Sequence, residues 1–362
     1  MKRIVIDARE SGTSTGRYVD KLIEHLHKLK PPHEIIILTK TPRLEYMKSI
    51  APGFKVVESN FKEFTFAEQL GLARQLYGLK PDLVHFSMTQ QPILYFGKVV
   101  TTVHDLTTAR FTNPAKNWLV FKFKQIVYRL VIHIVALKSK SLFVPSNFVK
   151  RDVAQYTGIR GQKIIVTYEA ADKITQAAVP VVKLVNKEFI LYVGRPLPHK
   201  NLERLIEAFG LLKSSRSKLQ LVLVGKKDKL YKRLEKSIKD LGIRDVHITG
   251  FVSEGQLRWL YQNTAAYVFP SLSEGFGLPG LEAMAHGAPV VASHATCLPE
   301  IYGPAAHYFD PYDTDDMSAK INDVLTDNKL RSELIANGQQ RIDKYSWPTT
   351  AQQTLDVYKG VL

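Results

Sequence analysis

YVFPSLSEGFGLPGLEAMAHGAPVVAS, residues 267–293, carries the clearest structural signal in the chain. It opens on a short aromatic and β-branched run that stops at Pro270, and a loop with Gly275, Gly277 and Gly280 follows. A helix through Leu281 to Ala285 then closes before Gly287 and Pro289, and a second β-branched run begins. Strand, loop, helix and strand in so short a span read as a βαβ unit, with the loop at a strand's carboxyl end. Glycines there let backbone N–H groups approach a ligand, and the helix N-terminus behind them favours an anion. The loop reads as a phosphate or sugar cradle.

The same alternation extends outward in both directions. Upstream, strands are expected at Arg3–Asp7, Glu34–Leu38, Lys55–Val57, Leu83–Phe86, Val99–His104, Ser141–Val144 and Ile164–Val166, with a helix from Gly16 to Lys30. A second set is expected at Phe189–Val193, Leu219–Val224, Val246–Thr249, Ala266–Phe269, Val290–Ala292 and Ala306–Phe309. The expected fold class is α/β: two facing, Rossmann-like, doubly wound parallel sheets with ligands in the cleft between them. Residues 1–172 form the first domain, 173–188 a linker containing Pro180, and 189–344 the second domain; residues 345–362 form a final helix returning to the first.

Composition agrees with a folded globular protein. The 362 residues are 45% hydrophobic and 23% charged, which excludes a disordered or fibrous chain. The length exceeds what one core usually supports. A single cysteine, Cys297, excludes a disulfide framework and a cysteine-cluster metal site. The opening MKRIVIDAR reads as a strand rather than a leader, and no charge-free apolar run is long enough to span a bilayer, so a cytosolic location is expected.

Net charge is +16, from 50 Lys+Arg against 34 Asp+Glu. Residues 1–172 carry 26 basic and 14 acidic side chains, or +12, and no acid occurs between Asp105 and Asp152. That asymmetry points to a polyanionic neighbour. Within the acid-free segment, Lys122, Gln125, Arg129, His133 and Lys140 fall on one helical stripe among apolar residues. For residues 116–140 two readings stay open: a membrane-surface helix with basic edges, or a core helix with one wet edge.

In YVGRPLPHKN, residues 192–201, Gly194 permits a tight turn after a strand, and Arg195 and Lys200 stand ahead of a helix expected over Asn201–Leu212. A guanidinium fork and an ammonium at such a junction suit a diphosphate. Glu274 and Glu282 lie eight positions apart, which on a continuous helix would set both carboxylates near one face, an argument weakened by the place of Glu274 ahead of the glycine loop. Taken alone that pair is weak; its glycine context strengthens it.

With these blocks, LVLVGKKD at 221–228, ITGFVSEGQL at 248–257, LPE at 298–300 and TVHDL at 102–106, the chain resembles the GT-B-fold retaining glycosyltransferases of family 4, the group 1 type, over essentially its whole length. Its EGFGLPGLEAM and TVHDL blocks look most like mannosyltransferases. The resemblance implies a metal-independent hexosyltransferase without a resident cofactor, its substrate a GDP- or UDP-linked sugar, with GDP-mannose the leading donor. Arg195 and Lys200 would neutralise the leaving diphosphate, Glu274 would sit near the sugar hydroxyls, and Glu282 would hold the ribose. Gly194, Gly275 and the backbone of Phe276, Gly277 and Leu278 would line the donor, with Gly250, Phe251 and Val252 bordering the nucleobase.

His104, at the end of the Val99–His104 run, reads on its own as a core histidine, whereas the resemblance implies contact with the donor sugar near its anomeric carbon. In SGTSTGRY, residues 11–18, only Gly16, Arg17 and Tyr18 match the family's Gly-Ile-Gly-Arg-Tyr, and Gly16 is placed with the donor-binding set. Asp313-Thr314-Asp315 has the form of a metal-holding Asp-x-Asp motif but precedes a helix, so capping explains it and no metal site is expected.

The expected partners are a nucleotide sugar, a glycan or lipid-linked acceptor of anionic character, and an anionic membrane at its inner face, in cell-envelope polysaccharide synthesis. Nucleic acid is not expected, because no basic-aromatic recognition motif accompanies the charge. A sugar-nucleotide epimerase or a glycogen-type phosphorylase of the same architecture, a nucleic-acid module and an inactive scaffold are the alternatives.

Overall fold

The computed structural model describes the chain except for Ser14, Phe64 and residues 112–117, and except for the side chains of residues 119–121, 123 and 124. Residue 14 of the 11–18 segment and the start of the 116–140 segment, residues 116 and 117, therefore lie outside the described residues. Two compact units form, one from Met1–Ala109, Lys122–Glu169 and Ser346–Leu362, the other around Ala170–Tyr345.

The first unit is built on a seven-stranded sheet: β1 (Arg3–Asp7), β2 (Glu34–Thr39), β3 (Lys55–Glu58), β4 (Leu83–Phe86), β5 (Val99–Thr102), β6 (Leu142–Val144) and β7 (Ile164–Val166), in the order β3-β2-β1-β4-β5-β6-β7. Its pairings are parallel. Its inner strands are apolar runs, as in Ile4–Ile6 and Ile35–Leu38, which are essentially inaccessible, whereas the edge strand β3 exposes Lys55 and Glu58. The helix Gly16–Lys28 turns Val19, Leu22, Ile23 and Leu26 inward at helical spacing. It stops two residues short of the expected Lys30, where the backbone turns left-handed at φ 48°.

The second unit carries a six-stranded sheet: β8 (Phe189–Val193), β9 (Gln220–Val224), β10 (Val246–Gly250), β11 (Ala266–Phe269), β12 (Val290–Ser293) and β13 (Ala306–Phe309), ordered β10-β9-β8-β11-β12-β13. Its pairings are parallel too. The order runs one way from β8 to β10 and the other way from β11 to β13, so the switch point lies between β8 and β11, where ligands bind in doubly wound folds.

The helix Trp347–Val361 belongs to the first unit. Its Tyr358 hydroxyl lies 2.5 Å from His85 Nδ1, and the other ring nitrogen meets Thr102 Oγ1 at 2.8 Å. Thr102 in turn donates to the Tyr18 hydroxyl at 3.1 Å. Burial holds His85 neutral, with its pKa pushed down to about 3.

Candidate active site

The loops after β8 and β11 are tied together before either can meet a ligand. Asn201, buried and left-handed at φ 59°, donates its side-chain amide to the carbonyls of Pro270 and Pro311 at 3.1 and 2.7 Å. The Leu272 N–H donates to the His199 carbonyl at 2.7 Å. Asn201 immediately precedes the helix Leu202–Ser215, which starts one residue later than the sequence suggests, and its side chain ties three loops together rather than capping the helix.

This fastening brings Lys200 to Glu274. Lys200 Nζ donates to Glu274 Oε1 at 2.5 Å, with the two side chains only 19% and 12% exposed. The Glu274 peptide is clamped as well: its N–H donates to Thr296 Oγ1 at 3.1 Å, and the Cys297 thiol lies 3.3 Å from its carbonyl oxygen. Thr296 holds that position at φ 51°, a conformation costly for a β-branched residue.

Arg195 reaches Asp228 at 2.6 Å while remaining half exposed. Burial raises the Asp228 carboxyl, but the Arg195 hydrogen bond and the amides of Leu230 and Tyr231 outweigh it and hold the pKa below the usual range. Both expected diphosphate cations therefore stand beside a carboxylate in this structure.

Gly277 caps the helix Leu278–Ala285 at φ 93°, and a Cβ there would lie 2.5 Å from the Tyr302 hydroxyl. Only glycine fits the position. The helix starts three residues earlier than expected because Pro279 is tolerated in its first turn. Glu274 precedes this cap, so the geometry of one continuous helical face does not apply to the two glutamates. Glu282 lies inside the helix and accepts from the Tyr261 hydroxyl at 3.3 Å, whereas Glu274 is held by Lys200.

Gly275 and Phe276 are buried, the Phe276 ring packing edge-on against Tyr345, while Leu278 is half-buried. Gly194, at φ 153°, donates to the Val224 carbonyl and accepts from the Tyr231 hydroxyl at 2.8 Å. Gly250, at φ 81°, ends β10, and beyond it Phe251 is 81% exposed and Val252 half-buried. Asp313 caps the helix Thr314–Thr326 by accepting from the amides of Asp315 and Asp316.

His104 and Gly16 belong to the first unit. β5 ends at Thr102, so His104 stands two residues past the strand rather than on it. Its Nδ1 lies 3.1 Å from Glu169 Oε1 and its Nε2 3.1 Å from the Ser87 carbonyl. Both neighbours accept, and a neutral imidazole can donate from one nitrogen only, so the geometry fits an imidazolium. Burial works against that charge, but Glu169, Asp105 and the Ser87 carbonyl outweigh burial and raise the pKa. The Tyr18 ring packs edge-on against the His104 ring at 4.9 Å.

A Cβ on Gly16 would lie 1.8 Å from the Glu10 carbonyl, and its N–H donates to Thr13 Oγ1. Glycine is required there for close packing. Sequence reasoning missed Glu169, whose signal is an acid shortly after β7, and Asp228, whose signal is the acid ending LVLVGKKD. It also missed Arg9, buried between Asp7 and Glu68 at 2.8 and 3.0 Å.

Two family models divide the chain: Glycosyltransferase Family 4 matches residues 15–173, and Glycosyl transferases group 1 matches 175–341. The O-antigen chain mannosyltransferase B of Escherichia coli is 31% identical over 278 residues, covering 72% of this chain and 70% of that protein. The serotype-specific mannosyltransferase WbdA of Escherichia coli is also 31% identical, over 62% of this chain but only 29% of its own length. Among solved structures, sucrose-phosphate synthase from Thermosynechococcus elongatus aligns with a TM-score of 0.77 at 18% identity, covering 100% of this chain and 99% of that one. Anabaena HepE in complex with UDP-glucose aligns at 0.76 and 16%, covering all of both chains. On its sequence matches, and with a fold of the GT-B type, the chain belongs to the group 1, family 4 glycosyltransferases.

Proposed function

We propose that the second unit binds GDP-mannose and that the enzyme transfers mannose, with retention at the anomeric carbon, to a hydroxyl of a glycan or lipid-linked acceptor in cell-envelope polysaccharide synthesis. The Lys200–Glu274 pair at the β8/β11 switch point carries the reading, because it sets a cation and a carboxylate where a sugar diphosphate would need both. The mannosyltransferase relatives support the choice of sugar. The neighbour holding UDP-glucose favours a UDP-linked donor as the second reading.

In this mechanism the bond from the anomeric carbon to the leaving phosphate oxygen breaks as the acceptor oxygen bonds to the same face. The acceptor proton passes to the leaving phosphate oxygen. Arg195 and Lys200 stabilise the charge that develops on the diphosphate, so no metal is invoked. Glu274 accepts from sugar hydroxyls and Glu282 from the ribose, while the amides of Phe276, Gly277 and Leu278 hold sugar and phosphate. His104, with both ring nitrogens engaged by Glu169 and the Ser87 carbonyl within the first unit, is held as a fixed positive group rather than as a base. The acceptor is met at the inner face of the membrane.

Incubation with GDP-mannose, UDP-glucose and other nucleotide sugars, followed by assay of the released diphosphate, tests the reading. GDP release from GDP-mannose above the other donors is expected. Turnover of none of them would remove it.

A further inference from the structure

We infer that the outer face of the helix Trp118–Lys138 is a docking surface for a bilayer carrying anionic lipid. The inference rests on the proposed membrane-borne acceptor. This helix covers the first unit with Gln125, Tyr128, Ile132, Val135 and Ala136, all buried. Its opposite side is not the usual polar face. Ile126, Leu130, Ile134 and Leu137 are 55%, 61%, 39% and 71% exposed and, at spacings of four, four and three, form one ridge. Lys122, His133 and Lys140, all exposed, lie along one edge of that ridge, and Arg129 on the same edge is exposed while its guanidinium donates to the Ala109 carbonyl at 2.9 Å.

The expected basic stripe is thereby corrected at one position, Gln125, which faces inward and donates to the carbonyls of Thr108 and Ala109. Lys138 is not part of the cationic edge either. Its ammonium donates to the carbonyls of Pro92 and Tyr95 at 3.0 and 2.9 Å, and burial lowers its pKa to about 8. That contact fastens the 92–96 loop to the last turn of the helix, and Phe96 on this loop is 81% exposed.

An apolar ridge beside a cationic edge lies in an interface rather than across it. No helix among the described residues is long and apolar enough to cross a membrane. Charge selects the occupant. With no acid between Asp105 and Asp152, a second copy of the chain would bring like charges together on this face, whereas anionic headgroups complement it.

Sedimentation of the full chain with phosphatidylcholine vesicles, with and without phosphatidylglycerol, tests this. The wild-type protein should pellet with the anionic vesicles at low salt and be released by high salt. L130E/I134E should lower its partitioning at least about tenfold, and Lys122→Gln with Lys140→Gln should remove most of the phosphatidylglycerol dependence. Calorimetric binding of GDP, measured on the same preparations, should be unchanged in all variants; its loss in the wild type would strike the donor assignment and not the docking face. Failure of the wild type to pellet with anionic vesicles, or equal pelleting of L130E/I134E, would overturn the inference. So would a dimer in sedimentation equilibrium that L130E/I134E dissolves.

Discussion

Lys200 and Glu274, 74 positions apart, meet at 2.5 Å across two loops that Asn201 and His199 fasten together. Each answers the other's charge in a half-dry setting, and each is the group the proposed chemistry asks for. Removing one partner should therefore affect stability and activity differently from removing both.

Glu274→Ala should abolish transfer with the fold retained. Lys200→Ala leaves a mostly buried carboxylate without its cation, at a cost below the roughly 3 to 5 kcal/mol of a fully buried pair. Replacing both residues by methionine should recover most of that stability and none of the activity. Thermal melts beside transfer assays check this, and activity in the double variant would contradict the assignment.

Arg195→Ala should weaken GDP binding about tenfold, or about 1.4 kcal/mol. Asp228→Asn keeps a side-chain oxygen for the cap on the helix Lys229–Asp240 and releases Arg195 from its internal carboxylate, so GDP binding should hold or tighten. Calorimetry on both variants separates a phosphate ligand from a loop-stabilising arginine.

Thr296 holds the Glu274 amide from a left-handed backbone, and its hydroxyl is worth about 1 kcal/mol as a net hydrogen bond. Thr296→Val should lower kcat several-fold with a smaller change in KM, and Thr296→Ser should restore it. Loss of stability without that split would make the contact structural only.

Two histidines of the first unit should shape the pH dependence of stability in opposite senses. The His85 pKa is depressed to about 3, so its contribution is complete above the unfolded value of about 6.5 and is lost as pH falls toward 3. The His104 pKa is raised, so its contribution is complete below about 6.5 and is lost as pH rises through the folded value. Glu169→Gln should flatten the alkaline side of the curve and leave the acid side in place. Urea midpoints measured across the pH range check it.

The sheets were legible because buried parallel strands are continuous β-branched runs, and those runs lie within a few residues of β1 to β13. The cradle was legible because Gly277 and Pro279 mark a loop and a helix start in the chain itself. What a spacing argument could not reach were pairings between distant residues. His104 with Glu169, Arg195 with Asp228 and Glu274 with Thr296 are 65, 33 and 22 positions apart, and nothing periodic connects them. The helical-face geometry for Glu274 and Glu282 does not apply for a local reason: the helix begins only at Leu278, after the left-handed Gly277, and Glu274 lies in the loop before it.

Donor chemistry at the β8/β11 switch point is decided by the anomeric configuration of the product formed from GDP-mannose, read by NMR from the wild-type enzyme and from Glu274→Ala. An α-mannoside from the wild type and none from the variant is expected; a β-linked product, or undiminished transfer by Glu274→Ala, would overturn the assignment.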